Sequence, residues 1–222
     1  MGFSGGFGMS KFFRVLSTLA LAYFCSTAQE AKAATFSLLE LGTLGGTTSV
    51  AVDLNNNGQV VGWSYLSGGP ESAASPHPTV WQAGVAPIDL SSSGQPTGNG
   101  ITINALGQVG GLSFGNTPHA TVWTGTAAVN LGTFGGRFSS ANGINNQGQV
   151  VGVSQNASGV NRAFSWSNGS LMELSSLPGT NSSQAFGINS QGQIVGRNDL
   201  SSGAVQATIC TEAAPALSRI SL

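Results

Sequence analysis

From Ala34 onward, apolar and β-branched residues come in runs of four to seven, separated by clusters of Gly, Asn and Ser. No window of useful length carries the 3.6-residue apolar stripe of an amphipathic helix, so the pattern predicts short strands joined by tight turns. The runs also repeat. One ten-residue stretch, Gly143 to Gly152, reads Gly-Ile-Asn-Asn-Gln-Gly-Gln-Val-Val-Gly, and versions of it stand at Leu54–Gly62, Ile103–Gly111 and Ile188–Gly196. Each version predicts a hairpin. Asn55, Asn104, Asn145 and Asn189 close a local turn through their side chains. Gly58, Gly107, Gly148 and Gly192 take the positive φ that such a turn demands.

Two further strands flank each hairpin. One runs toward a tryptophan, as in His77–Trp81, His119–Trp123 and Arg162–Trp166, with Gln206–Cys210 as a copy that has lost it. The other ends in leucine: Leu38–Leu41, Ala86–Leu90, Ala128–Leu131 and Ser170–Leu174. Trp81, Trp123 and Trp166 are 42 and 43 residues apart. Four strands in about 43 residues is the content of a propeller blade, for which roughly 40–50 residues is usual. The expected fold is therefore all-β, four repeats at about 41–90, 91–131, 132–174 and 175–210, stacked so that each covers its neighbour. The chain opens on a leucine strand and finishes on a tryptophan strand, which elsewhere form one hairpin. Pairing of the N- and C-terminal strands is thus expected to close a propeller-like ring.

Composition narrows the setting. The N-terminus carries Lys11 and Arg14, an apolar run from Val15 to Phe24, and Ala31-Lys32-Ala33. That is the layout of a signal peptide cleaved after residue 33, leaving one domain over 34–222. The apolar run is too short for a membrane span. Residues 34–222 hold four arginines and no lysine against seven acids, a net charge of −3. No basic patch can form to neutralise phosphates, so nucleic acid is excluded as an expected partner. Cys210 is left alone once Cys25 departs, so no internal disulfide is expected despite the exported address.

The Gly-Ile-Asn-x-x-Gly-Gln-Val-Val-Gly hairpin, the segments Leu41-Gly-Thr-Leu-Gly-Gly46 and Leu131-Gly-Thr-Phe-Gly-Gly136, and strands such as His119-Ala120-Thr121-Val122-Trp123 recur in fixed order. As a set they resemble the HAF-repeat family, bacterial proteins described as extracellular, over about Leu41 to Ile209. The His-Ala-Phe strand itself is split among copies, as His119-Ala120-Thr121 and Arg162-Ala163-Phe164. The resemblance implies export and repeated β-architecture. It implies no activity and carries over no catalytic residue.

Candidate chemistry is sparse. Asp53-x-Asn55-x-Asn57-Gly58 resembles the start of a calcium loop, but the twelfth position is Ser64 instead of the bidentate Glu such a loop needs, which leaves an Asx-rich turn. His77 and His119 hold equivalent repeat positions, yet Arg162 and Gln206 fill the other two, so no zinc ligand set emerges. Glycoside hydrolysis needs two converging carboxylates, and Glu40, Asp53, Glu71, Asp89, Glu173, Asp199 and Glu212 are scattered over different repeat positions. No Gly-x-Ser-x-Gly elbow is present. The sequence nominates no catalytic residue, cofactor or metal. It predicts a non-catalytic module for an extracellular or envelope ligand, a glycan among the candidates, with the contacts expected where the repeats differ, at Ser64–Ser75 and Ser91–Gly98. The alternatives are an enzyme acting on extracellular glycans and a structural fragment of a longer repeat array.

Overall fold

The computed structural model describes residues 36–68, 75–91 and 97–211. The described residues form fifteen strands and no helix. They build four antiparallel sheets in chain order. The first holds β1 (Gly45–Leu54), β2 (Gln59–Leu66), β3 (His77–Gln82) and β4 (Val85–Asp89). The second holds β5 (Gly98–Ile103), β6 (Gln108–Ser113), β7 (His119–Thr124) and β8 (Ala127–Asn130). The third holds β9 (Gly135–Ile144), β10 (Val150–Asn156), β11 (Asn161–Ser167) and β12 (Ser170–Glu173). The fourth has three strands: β13 (Thr180–Ile188), β14 (Ile194–Leu200) and β15 (Val205–Cys210).

The tryptophan and leucine strands of the sequence are thus β3 with β4, β7 with β8, and β11 with β12. The exception is Leu38–Leu41, which is not a strand here. Chain contacts divide the protein into Met1–Leu39 and Glu40–Leu222. The described part of the first unit is residues 36–39, where Phe36, Leu38 and Leu39 are exposed. The expected signal peptide, residues 1–33, lies outside the described residues.

Within the second unit each sheet packs on the next, β2 against β5, β6 against β9 and β10 against β13. The leading strands β1, β5, β9 and β13 also touch in succession. Three apolar clusters fill the three junctions. Val61, Val80 and Leu90 of the first sheet meet Ile103, Val109 and Trp123 of the second. Ala120, Val122 and Leu131 of the second meet Ala141, Val150 and Phe164 of the third. Val151 and Ala163 of the third meet Ala185 and Ile194 of the fourth, where Cys210 stands in the tryptophan's place. The second and third sheets therefore bury one face backward and the other forward. A strand covered on both faces must be apolar at successive positions, which is why the outgoing strand reads Val-Val rather than alternating.

The last glycine of the motif has its own cause. In the first, second and fourth sheets the leading strand carries a register shift shortly before the turn, between Ala51 and Asp53, Gly100 and Thr102, and Ala185 and Gly187. The third shifts between its pairs at Gly143 and Ala141. This bulge tips a carbonyl onto the partner strand. A Cβ at Gly62 or Gly152 would fall onto the carbonyl oxygen of Val50 or Ser140.

Candidate functional site

The four hairpin turns share one geometry. In the first, Asn55 Oδ1 accepts from the N–H of Asn57 and of Gln59, both at 3.0 Å. Its Nδ2 donates to Gln59 Oε1 at 2.8 Å and, across the sheet junction, to the carbonyl of Asn104 at 2.9 Å. Asn104 does the same with Gln108 and with the carbonyl of Asn145, at 2.8 and 2.9 Å. Asn145 repeats it with Gln149 and the carbonyl of Asn189, at 2.7 and 3.2 Å. An amide has two acceptor lone pairs and two N–H donors, and these side chains use all four. Aspartate would lose both donors, and glutamine is a carbon too long for the turn. Asn55, Asn104 and Asn145 are accordingly buried, whereas Asn189, with Gln193 as its acceptor and no following turn among the described residues, is exposed. Gly58, Gly107, Gly148 and Gly192 close the turns with φ between 74° and 76°.

A second relay crosses the junctions farther out. The N–H of Ala120 donates to Ser139 Oγ at 2.9 Å, and that of Ala163 to Ser183 Oγ at 2.9 Å. In each case a strand of one sheet is tied to the leading strand of the next. Asp53 belongs to the same class of contact: one carboxylate oxygen accepts from its neighbour Leu54 and the other from the N–H of Ile103, at 2.8 and 3.0 Å. Its charge is committed to backbone amides, and Ser64 at the calcium loop's twelfth position is buried and accepts the N–H of Leu44.

The two histidines are engaged inside their own sheets. His77 Nδ1 lies 2.9 Å from Asp89 Oδ2, and His119 Nδ1 lies 3.0 Å from Asn130 Nδ2. Arg162 takes the same position in the third sheet, with Nε 3.3 Å from Glu173. In the first three sheets the position before the tryptophan strand's apolar run thus pairs with the residue preceding the terminal leucine. Among the described residues no three His, Cys, Asp or Glu side chains come together. Trp81 and Trp123 are buried, and Trp166 is partly buried against the core between the second and third sheets. Trp81 Nε1 donates to the carbonyl of Gly42 at 3.2 Å.

What the four turns do form together is a mouth. Residues from all four sheets line one cavity of ≈ 250 Å³. Leu54, Ile103, Ile144 and Ile188, each directly before the turn asparagine, give it aliphatic walls, and the exposed side chains of Asn56 and Asn146 stand among its polar lining. No ionisable side chain lines it. The described residues of the stretches where ligand contacts were expected, 64–68, 75, 91 and 97–98, lie at the opposite end of the sheets, because antiparallel order alternates the connections between the two ends. Of those stretches, 69–74 and 92–96 are outside the described residues.

The sequence pattern marks the turn asparagines and glycines but not their partners. It gives no role to the glutamines that accept from Nδ2, to the junction serines Ser139 and Ser183, or to Asp53 as a bridge. A signal is present for the first group, since Gln59, Gln108, Gln149 and Gln193 all stand four residues after the turn asparagine. No protein-family model, curated protein or solved structure matches the chain.

Proposed function

We propose that the chain is an exported, propeller-like repeat module that binds an extracellular or envelope ligand without transforming it. The observation that carries this reading is the shared mouth, to which four repeats contribute equivalent residues held by a continuous amide relay. Small-molecule sites are usually enclosed and mostly apolar, whereas this one is open and mainly polar, a form suited to the end of a hydrated chain. Its chemistry here is uncharged, with amide donors and acceptors above aliphatic carbon. That suits a neutral polyhydroxyl ligand such as the end of a glycan chain better than a phosphate or a carboxylate. The resemblance to HAF repeats supports export and the repeated architecture.

The test is a binding screen of the purified protein against glycans and cell-wall fragments, repeated with an Asn56→Ala/Ser190→Ala double variant. Both residues are exposed at the mouth. Saturable binding without product release, weakened at least tenfold in the variant with its circular dichroism unchanged, is the expected outcome. Product release, or full affinity with the mouth altered, defeats the proposal. A second reading, a module completed by another repeat array, is favoured by one observation: the forward face of the fourth sheet is bare, with Val195 50% and Ile209 64% exposed.

A further inference from the structure

Among the described residues the fourth sheet has no outer strand, and the chain contains a spare copy of one. β4, β8 and β12 each run into a leucine whose N–H donates to the third strand of the same sheet. Leu90 donates to the carbonyl of Pro78, Leu131 to that of Ala120 and Leu174 to that of Ala163, each at 2.9 Å. The equivalent acceptor in β15 is Ala207. The equivalent leucine is Leu41, which ends Phe36-Ser-Leu-Leu-Glu-Leu41 and enters Gly-Thr-Leu-Gly-Gly46 as Leu131 enters Gly-Thr-Phe-Gly-Gly136. The flanking positions agree. Asp89, Asn130 and Glu173 face His77, His119 and Arg162, so Glu40 would face Gln206. Ser139 Oγ donates to Gly132 while accepting the N–H of Ala120, and Ser49 Oγ donates in the same way to Gly42, leaving it to accept the N–H of Ala207.

The sheet faces match as well as the edges. Val195 and Ile209 occupy the positions that Val61 with Val80, and Val151, use to cover the next sheet. They border an apolar depression of ≈ 380 Å³ with Ile188. At the other end of the stack, the first sheet leaves Ala51 and Leu54 exposed on its leading strand, at the positions that Ala141 and Ile144 fill in the second junction. Were one chain to bring its fourth sheet onto its own first sheet, these residues would be buried as they are at the three internal junctions. In the single chain they are not.

Resting on the propeller-like reading above, we infer that the missing junction forms between two copies: residues 36–41 of one chain add as the outer strand to β15 of another, and the first sheet of the donor covers the fourth sheet of the acceptor. The contact is head-to-tail, so it closes a ring when exchanged reciprocally and otherwise extends a chain of copies. It also disposes of a bare strand edge, which proteins otherwise have to blunt.

The register gives a trap. Trp123 pairs with Ala128 and Trp166 with Leu171, so Cys210 would pair with Leu38. These partners alternate with the hydrogen-bonded pairs, which brings their side chains close enough for a disulfide. Leu38→Cys, at an exposed residue and in a Cys25→Ser background, is oxidised at micromolar concentration and run on a non-reducing gel. A bond between chains, formed in the majority of molecules, is the expected result. A bond within one chain would preserve the propeller-like reading and overturn this inference. Absence of any bond in folded protein overturns both. Sedimentation of the unsubstituted protein gives an independent reading: a mass of at least two copies is expected, and a monomer at every concentration overturns the inference.

Discussion

β11 and β15 are the same strand in two settings. In β11, Ala163 and Phe164 are buried between a sheet on each side, and β12 pairs along the outer edge. In β15, Val205 and Ile209 lie open and the outer edge has no partner strand among the described residues. The two strands make the same ladder with β10 and β14, six pairs each, so hydrogen bonding inside the sheet does not separate them. Coverage does. The comparison teaches that a repeat of this kind is made stable by its neighbours, and that the last one keeps the pattern without the stabilisation.

That difference can be attacked directly. The largest effect is expected in the core of the third sheet. Phe164→Ala should cost about 3–5 kcal/mol in denaturant melts, because it empties a fully buried site. Thr208→Ala, at the same strand position in the fourth sheet, should cost less than about 1 kcal/mol, as a partly exposed residue outside such a core. Equal costs would mean that the fourth sheet is as well covered as the third.

Asn145→Ala should follow at about 2–4 kcal/mol, since it strands the amides of Gln147 and Gln149, the Gln149 side chain and the carbonyl of Asn189 in a buried turn. Asn189→Ala breaks only its own exposed turn and should cost about 1 kcal/mol. A smaller and more telling effect concerns Val151→Ser and Val195→Ser. The first should cost about 2 kcal/mol at any protein concentration. The second should be near neutral in dilute solution and grow as concentration rises, because a face covered by a second copy is stabilised by mass action. Hydrogen exchange should show the mildest contrast, with β15 amides losing protection before those of β11.

Much of the fold was legible because the repeat aligned equivalent residues. The turn asparagines and glycines, the strand order within each sheet and the apolar Val-Val pairs all follow from local pattern. The outer strand at Leu38–Leu41 shows where that reasoning stops. Its sequence is as strand-like as Ala86–Leu90, but a strand is a relation between two segments, and no periodicity reports whether the partner is present. The junction serines were hidden for a different reason. Ser is abundant in this chain, and only the geometry separates Ser139, with its oxygen on the Ala120 amide, from a solvated one. The cavity was the least legible part. Reading for variation led to the connections at Ser64–Ser75 and Ser91–Gly98 and gave no sign of the cavity, because four similar turns line one surface only once the sheets are stacked.

The asparagine relay has a direction. Each side chain hands its N–H forward to the next turn's backbone carbonyl, and the backbone carbonyl of the same asparagine receives one from behind, so every interior unit gives and takes the same bond. A unit added or lost between any two others would leave no donor unmatched. Duplication or deletion of a whole unit therefore breaks no bond of this relay inside the array. The relay leaves the number of repeats to be set by the cavity that all four turns line.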